Sequence, residues 1–191
     1  MKILSIGKHF SSTFNKYFNS NKITIIHIDD IESCNFDINY DLFFISEDYI
    51  INTDTTQDID NIKKTVDTIK EKFDEPIIFT RSNLLPGTNN KLGTYYFPNF
   101  FSESSTLDEF KNNNYWLIGI NNNNTNIDNI KFKIQEFFTL AKDDKSISSD
   151  TVQFLDLDIV EYYKFVTNSF ISNQISYFNE IYKFSKLLNI D

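Results

Sequence analysis

The sequence predicts an α/β fold: a parallel sheet with helices on both faces, followed by one long C-terminal helix. Three observations carry this expectation. Short, almost continuously apolar runs recur at 2–7, 22–28, 41–45, 76–80 and 115–120, as strands buried on both faces require. Between them lie segments with apolar residues at steps of three and four, the period of an amphipathic helix. The last stretch, from about Phe154 to Leu188, contains neither proline nor glycine.

Each element follows in order. KILSIG (2–7) closes on Gly7 and reads as a first strand. Phe14, Tyr17 and Phe18 stand at helical spacing within 11–19. KITIIHI (22–28) is a β-branched run that stops at Asp29-Asp30, and DLFFI (41–45) is a third strand. Ile59, Ile62, Val66, Ile69 and Phe73 line one face of a helix over 58–73, after which PIIFT returns to strand. LLPGTNN is a turn signal. YWLIGI (115–120) is a further strand, NNNNTN a polar loop, and 127–141 a helix with Ile127, Ile130, Ile134, Phe137 and Phe138 on one face. Leu157, Val160, Lys164, Asn168, Ile171, Ile175, Phe178, Tyr182 and Leu188 then mark the long helix. The expected division is a sheet domain over 1–150 and a connecting helix over 151–191. Such a helix would span roughly 50 Å, more than a body of this size needs, and packs on a second domain or a partner chain.

Composition narrows the function. The chain has 191 residues, 40 % of them hydrophobic, enough for a core and against disorder. A net charge of −9 disfavours nucleic acid and anionic membrane surfaces. No apolar run approaches ~18 residues, so no spanning helix is expected and the chain reads as soluble and intracellular. One cysteine, Cys34, excludes an internal disulfide, and with only His9 and His27 beside it no metal site is expected. Asn and Ile together make up about a quarter of the residues while alanine occurs once, the mark of an AT-rich genome. A large DNA virus, a protist and a low-GC bacterium all fit, and a place in a virus particle stays open.

A strand ending in glycine, a helix, a second strand and an acid ~20 residues on is the dinucleotide-binding Rossmann layout. Here the glycine is Gly7 and the acid is Asp29, placed to bind a ribose hydroxyl of NAD. The glycine fingerprint itself is broken. In Gly7-Lys8-His9-Phe10-Ser11-Ser12, His9 and Ser12 replace its second and third glycines. Two readings stay open: Gly7 closes a tight turn and no cofactor binds, or NAD binds at a surviving site. A third has Lys8 and His9 offer charge to a different anion at the helix N-terminus.

The second half carries more specific motifs. Residues 81–88 read RSNLLPGT, 98–104 read PNFFSES, and Asp108 and Phe110 precede YWLIG at 115–119. Residues 161–180 read EYYKFVTNSFISNQISYFNE, and KLLNID closes the chain. This order resembles the UDP-glucose/GDP-mannose dehydrogenase family, in its N-terminal domain and connecting helix. Glu161, Lys164, Asn168, Phe170, Ile175, Ser176, Asn179 and Glu180 fall in register with that family without a gap.

The resemblance implies roles. Family members oxidise a sugar alcohol twice with NAD. Lys164 would stabilise oxyanionic intermediates, with Asn168 one turn on in support. Glu103 would stand near substrate and catalytic water, and Asn83 near the nicotinamide, where the family has threonine. There are departures: Asn99 replaces a glutamate, Tyr115 an arginine, and Glu47-Asp48 stand where the family has a V-P-T-P-like turn. The family's cysteine nucleophile lies beyond the connecting helix, and the sequence stops at Asp191 before it. The leading expectation is therefore a truncated, non-catalytic relative with a binding, regulatory or structural role. It would self-associate through the 154–188 helix, where Phe154, Phe165, Phe170, Phe178, Tyr182 and Phe184 are candidates for an exposed apolar face. The alternatives are the NAD-binding half of a split 6-dehydrogenase, its cysteine on a separate polypeptide, and a nucleotide-binding module without a reaction.

Overall fold

Strand β1 (Lys2–Ile6) hydrogen-bonds in parallel to β2 (Thr24–Ile28) on one side and β3 (Leu42–Ile45) on the other. A computed structural model describes residues 1–7, 11–47, 49–54, 56–100 and 110–190, with 11–13 described by backbone alone. The other strands are β4 (Ile50–Ile51), β5 (Gln57–Asp58), β6 (Ile78–Thr80), β7 (Tyr95–Tyr96), β8 (Trp116–Ile120) and β9 (Val152–Asp156). The helices are α1 (Ser11–Phe18), α2 (Asp60–Lys72), α3 (Thr88–Leu92), α4 (Ile127–Asp143) and α5 (Leu157–Leu187). The main sheet has seven strands in the order β2-β1-β3-β6-β7-β8-β9. It is parallel except where β8 meets β7 antiparallel, while β4 and β5 form a small separate hairpin.

Alternation along β1 divides the core. Ile3 faces an aromatic cluster with Phe14 and Phe18 of α1 and Ile134, Phe137 and Phe138 of α4. Leu4 and Ile6 face Ile62, Val66 and Ile69 of α2. Helices thus cover both faces, as the apolar runs predict. Large rings fill the first layer: Phe14 lies 4.8 Å from Phe44, and Trp116 stacks on Phe138 at 5.0 Å. Each such ring buries ~150–250 Å².

The expectation at the start of the long helix needs correcting. Residues 152–156 form the edge strand β9, with Ile118 opposite Phe154, and α5 begins only at Leu157. Val152 and Phe154 pack against the aromatic core, a two-residue period that decides for strand. Phe154 therefore does not belong to an exposed helix face. The first turns of α5 lie across β8 at Gly119, where an added Cβ would sit 3.1 Å from Val160 and 3.2 Å from Leu157. Tyr96, Leu117, Leu157 and Val160 make up the small core beneath it.

Candidate functional site

Two crevices open at the carboxyl ends of the central strands. The first, of about 310 Å³, is lined by Gly7, Asp29, Asp30, Glu32, Glu47, Lys64 and Thr65 among others. Gly7 has φ +109° and its amide donates to the Ile28 carbonyl at 3.0 Å. A Cβ there would lie 2.5 Å from the Ser46 carbonyl oxygen. Close passage of the β1 exit against the β3 exit thus demands glycine at this position. Asp29 follows β2, and His27 Nε2 stands 3.6 Å from its Oδ1.

Glu47 follows β3 and projects into the same crevice. Its Oε1 accepts from Thr65 Oγ1 at 2.8 Å, while Oε2 is buried without a hydrogen-bond partner. Burial pushes its carboxyl above the ordinary carboxylate range, against the lowering effect of the Thr65 hydrogen bond. Lys64, the lysine of the crevice, donates to Glu32, which holds the Glu32 carboxyl below its usual range.

The second crevice, of about 400 Å³, lies between the 83–85 turn and α5. Lys164 and Asn168 line it from α5, and Asn83 lines it from the turn after β6. Asn168 Nδ2 donates to Asn83 Oδ1 at 3.5 Å, and Lys164 Nζ donates to the Asn99 carbonyl. The Lys164 ammonium also sits 5.1 Å from the centroid of Phe100. Burial pulls its pKa down to about 8, because a desolvated ammonium is disfavoured. Gln57 of β5 holds the turn from below: its Nε2 donates to the Asn83 carbonyl at 3.1 Å, and its Oε1 accepts from the Leu85 amide at 2.9 Å.

Glu161 sets the height of Lys164, one turn before it. It is 2 % exposed. Its carboxylate accepts from the Gly87 amide (2.6 Å), the Asn89 amide (2.9 Å) and Asn89 Nδ2 (2.7 Å). Asn89 Oδ1 in turn accepts from Thr80 and Thr94. A buried polar relay therefore ties β6, α3 and α5 together. The late motif places Glu161 in register but names no role for it. The signal was the acid-x-x-lysine spacing, which puts both groups on one helix face.

The structure thus brings Lys164, Asn168 and Asn83 together and places Gly7 and Asp29 together in the other crevice. Glu103, His9, Lys8, Asp48 and the side chain of Ser12 lie outside the described residues. Cys34 is buried in the α2-side core, and burial raises its thiol, so it is a packed side chain rather than a nucleophile. Among the described residues no group of three or more His, Cys, Asp or Glu could hold a metal ion.

No family model matches the chain, and no curated protein matches it in sequence. Solved structures do match in fold. A ternary complex of GDP-mannose dehydrogenase from Pseudomonas aeruginosa superposes with a TM-score of 0.73 at 14 % identity. UDP-glucose dehydrogenase from the hyperthermophilic archaeon Pyrobaculum islandicum gives 0.74 at 13 %. Each match covers 100 % of this chain and 54 % of the other, so the chain spans about half their length. This chain shares their fold. The likeness points to the same two dehydrogenases that the late sequence motifs resemble.

The dinucleotide that the resemblance implies is met only in part by the described residues. Asp29 beside Gly7 offers an acceptor to a ribose diol. Among the described residues the pyrophosphate finds little: Asp29, Asp30, Glu32 and Glu47 line the crevice with Lys64, which is paired with Glu32. A carboxylate ~4 Å from a unit charge repels it by roughly 1–4 kcal/mol.

Proposed function

We propose that the chain is a non-catalytic relative of the GDP-mannose and UDP-glucose dehydrogenases that works by association, with the outer half of α5 docking on a second copy of itself. The observation that supports this is the bare outer helix. Beyond Lys164 no α5 residue is buried, and Phe170, Ile175, Phe178 and Tyr182 are each about 60 % exposed. Ile171, Ile175, Phe178 and Tyr182 follow at steps of four, three and four, the spacing of a helix–helix seam. Residues 169–190 carry only Glu180, Lys183 and Lys186 as charges, so the net −9 of the chain does not oppose contact there. Contiguous exposed apolar patches mark interfaces, and a standard one buries ~800 Å² per partner. The acidic first crevice and the buried Cys34 agree with a chain that does not carry out the oxidation itself.

Analytical ultracentrifugation at micromolar concentration tests this reading. A dimer that dissociates on Phe178→Glu is expected, and a monomer at all concentrations refutes it. One observation favours a second reading, the NAD-binding half of a split dehydrogenase: Lys164, Asn168 and Asn83 remain assembled around a crevice. Calorimetric titration with NAD⁺ separates the two, since saturable micromolar binding moves the split enzyme to first place.

A further inference from the structure

Between β3 and α2 the chain leaves the main sheet as the β4–β5 hairpin, a two-stranded sheet of its own with Ile50 and Ile51 exposed. Side-chain hydrogen bonds tie it to the body at both ends. At its entry, Thr65 Oγ1 of α2 donates to Glu47 Oε1 at 2.8 Å, and Ser82 Oγ donates to the Glu47 carbonyl at 2.7 Å. At its exit, Gln57 meets the backbone of the 83–85 turn. Glu47 is thus the side chain that fastens the hairpin's entry to α2.

The seat is a poor one for a charged carboxylate. Glu47 Oε2 is buried without a donor, and a buried charge short of hydrogen bonds is disfavoured. Among the described residues, the charged groups that line the crevice with it are Asp29 and Asp30 after β2, Glu32 in the turn that follows, and Lys64 on α2. Asp30 and Glu32 oppose the Glu47 charge, and Lys64, which favours it, is bonded to Glu32. Arg81, beside Ser82, is turned to the other face of the sheet against Phe14 and Phe97.

We infer that Glu47 is a proton-operated latch: uptake of one proton by its carboxylate seats the β4–β5 hairpin on α2, and loss of that proton loosens it. Protonation removes the charge while Oε1 still accepts from Thr65. The hairpin brings Tyr49 and Gln57 to the wall of the second crevice. Acidity felt in the first crevice therefore alters the wall of the second.

The sign follows from the two states. Burial raises the Glu47 carboxyl above its ordinary 4.5 in the seated hairpin, so the seated state binds the proton more tightly than the loosened one. Seating strengthens as the pH falls from neutral toward 4.5. Asp54, at the hairpin turn, acts in the opposite sense. It accepts from the Thr56 hydroxyl at 2.6 Å and the Thr56 amide at 3.0 Å, which holds its carboxyl below the usual range, so its contribution is lost on acidification. The direction of the change separates the two groups.

Hydrogen exchange of the full chain tests the latch, read by mass spectrometry as protection factors at pH 7 and pH 5 with β3 as internal reference. Protection of the β4–β5 hairpin is expected to rise several-fold from pH 7 to pH 5 in the unmodified chain. Glu47→Gln, which has the shape of the neutral acid, is expected to show the high protection at both. Asp54→Asn is expected to keep the rise. Protection that stays level or falls on acidification of the unmodified chain overturns the inference, whatever the variants do. A rise that survives Glu47→Gln, or one that disappears in Asp54→Asn, overturns it as well.

Discussion

Replacing Glu161 by alanine removes the acceptor for three donors at once: the Gly87 amide, the Asn89 amide and Asn89 Nδ2. Asn89 is fully buried, so its two donors have no route to water, whereas Gly87 is reached by solvent. A buried donor left unpaired costs ~1–3 kcal/mol. Two such donors, with the partial loss at Gly87, give about 4 kcal/mol. In a chain of this size that corresponds to a fall in Tm of roughly 8–16 °C. Glu161→Gln keeps the shape and one acceptor oxygen but turns an N–H₂ toward a donor, and about half the loss is expected. Urea denaturation followed by the fluorescence of the buried Trp116 measures both. A loss below about 0.5 kcal/mol for Glu161→Ala would refute the claim that this carboxylate fastens α5 to the body.

Two further outcomes follow from the crevice at the strand ends. Gly7→Ala puts a Cβ 2.5 Å from the Ser46 oxygen at φ +109°, so a loss of about 3 kcal/mol in the same urea experiment is expected. Glu47→Gln is expected to raise Tm at pH 7, and the gain should vanish as the pH falls below the ordinary carboxylate value of 4.5. The sign follows from burial: the folded carboxyl titrates above its ordinary 4.5, so its charge opposes folding at neutral pH, and the wild type recovers as pH falls through that raised value.

Much of the fold was legible because long apolar periods survive a skewed composition. Ile62, Val66 and Ile69 announce α2, and Ile130, Ile134 and Phe137 announce α4, since each set is the buried face of a helix that exists. Short elements escaped for a physical reason. β4, β5 and β7 have two residues each, too few to show a period, and α3 is a five-residue turn between Gly87 and Gly93. β9 was hidden differently. Val152 and Phe154 alternate into the core, but the helical pattern starts the next residue after the strand and absorbs them. In the candidate site, Lys164 and Asn168 were reached through the late motif that resembles the dehydrogenase family, and one helix carries both. Gln57 and the contact of Lys164 with the Asn99 carbonyl were not legible, because partners that meet only across the fold leave no local signature.

The junction of β9 and α5 has a mechanical consequence. Asp156 ends the strand and Leu157 begins the helix, with no loop between them. The direction of α5 is therefore set by the sheet edge rather than by a flexible joint. At 31 residues the helix is about 46 Å long, and its buried residues, Leu157, Val160, Glu161 and Lys164, all lie in its first turns. It is a lever with its fulcrum at the sheet: a tilt of about 5° at the root moves the tip by about 4 Å over that length. Small adjustments around Lys164 are thus magnified at Phe178 and Tyr182, where a partner helix would feel them as a change of register.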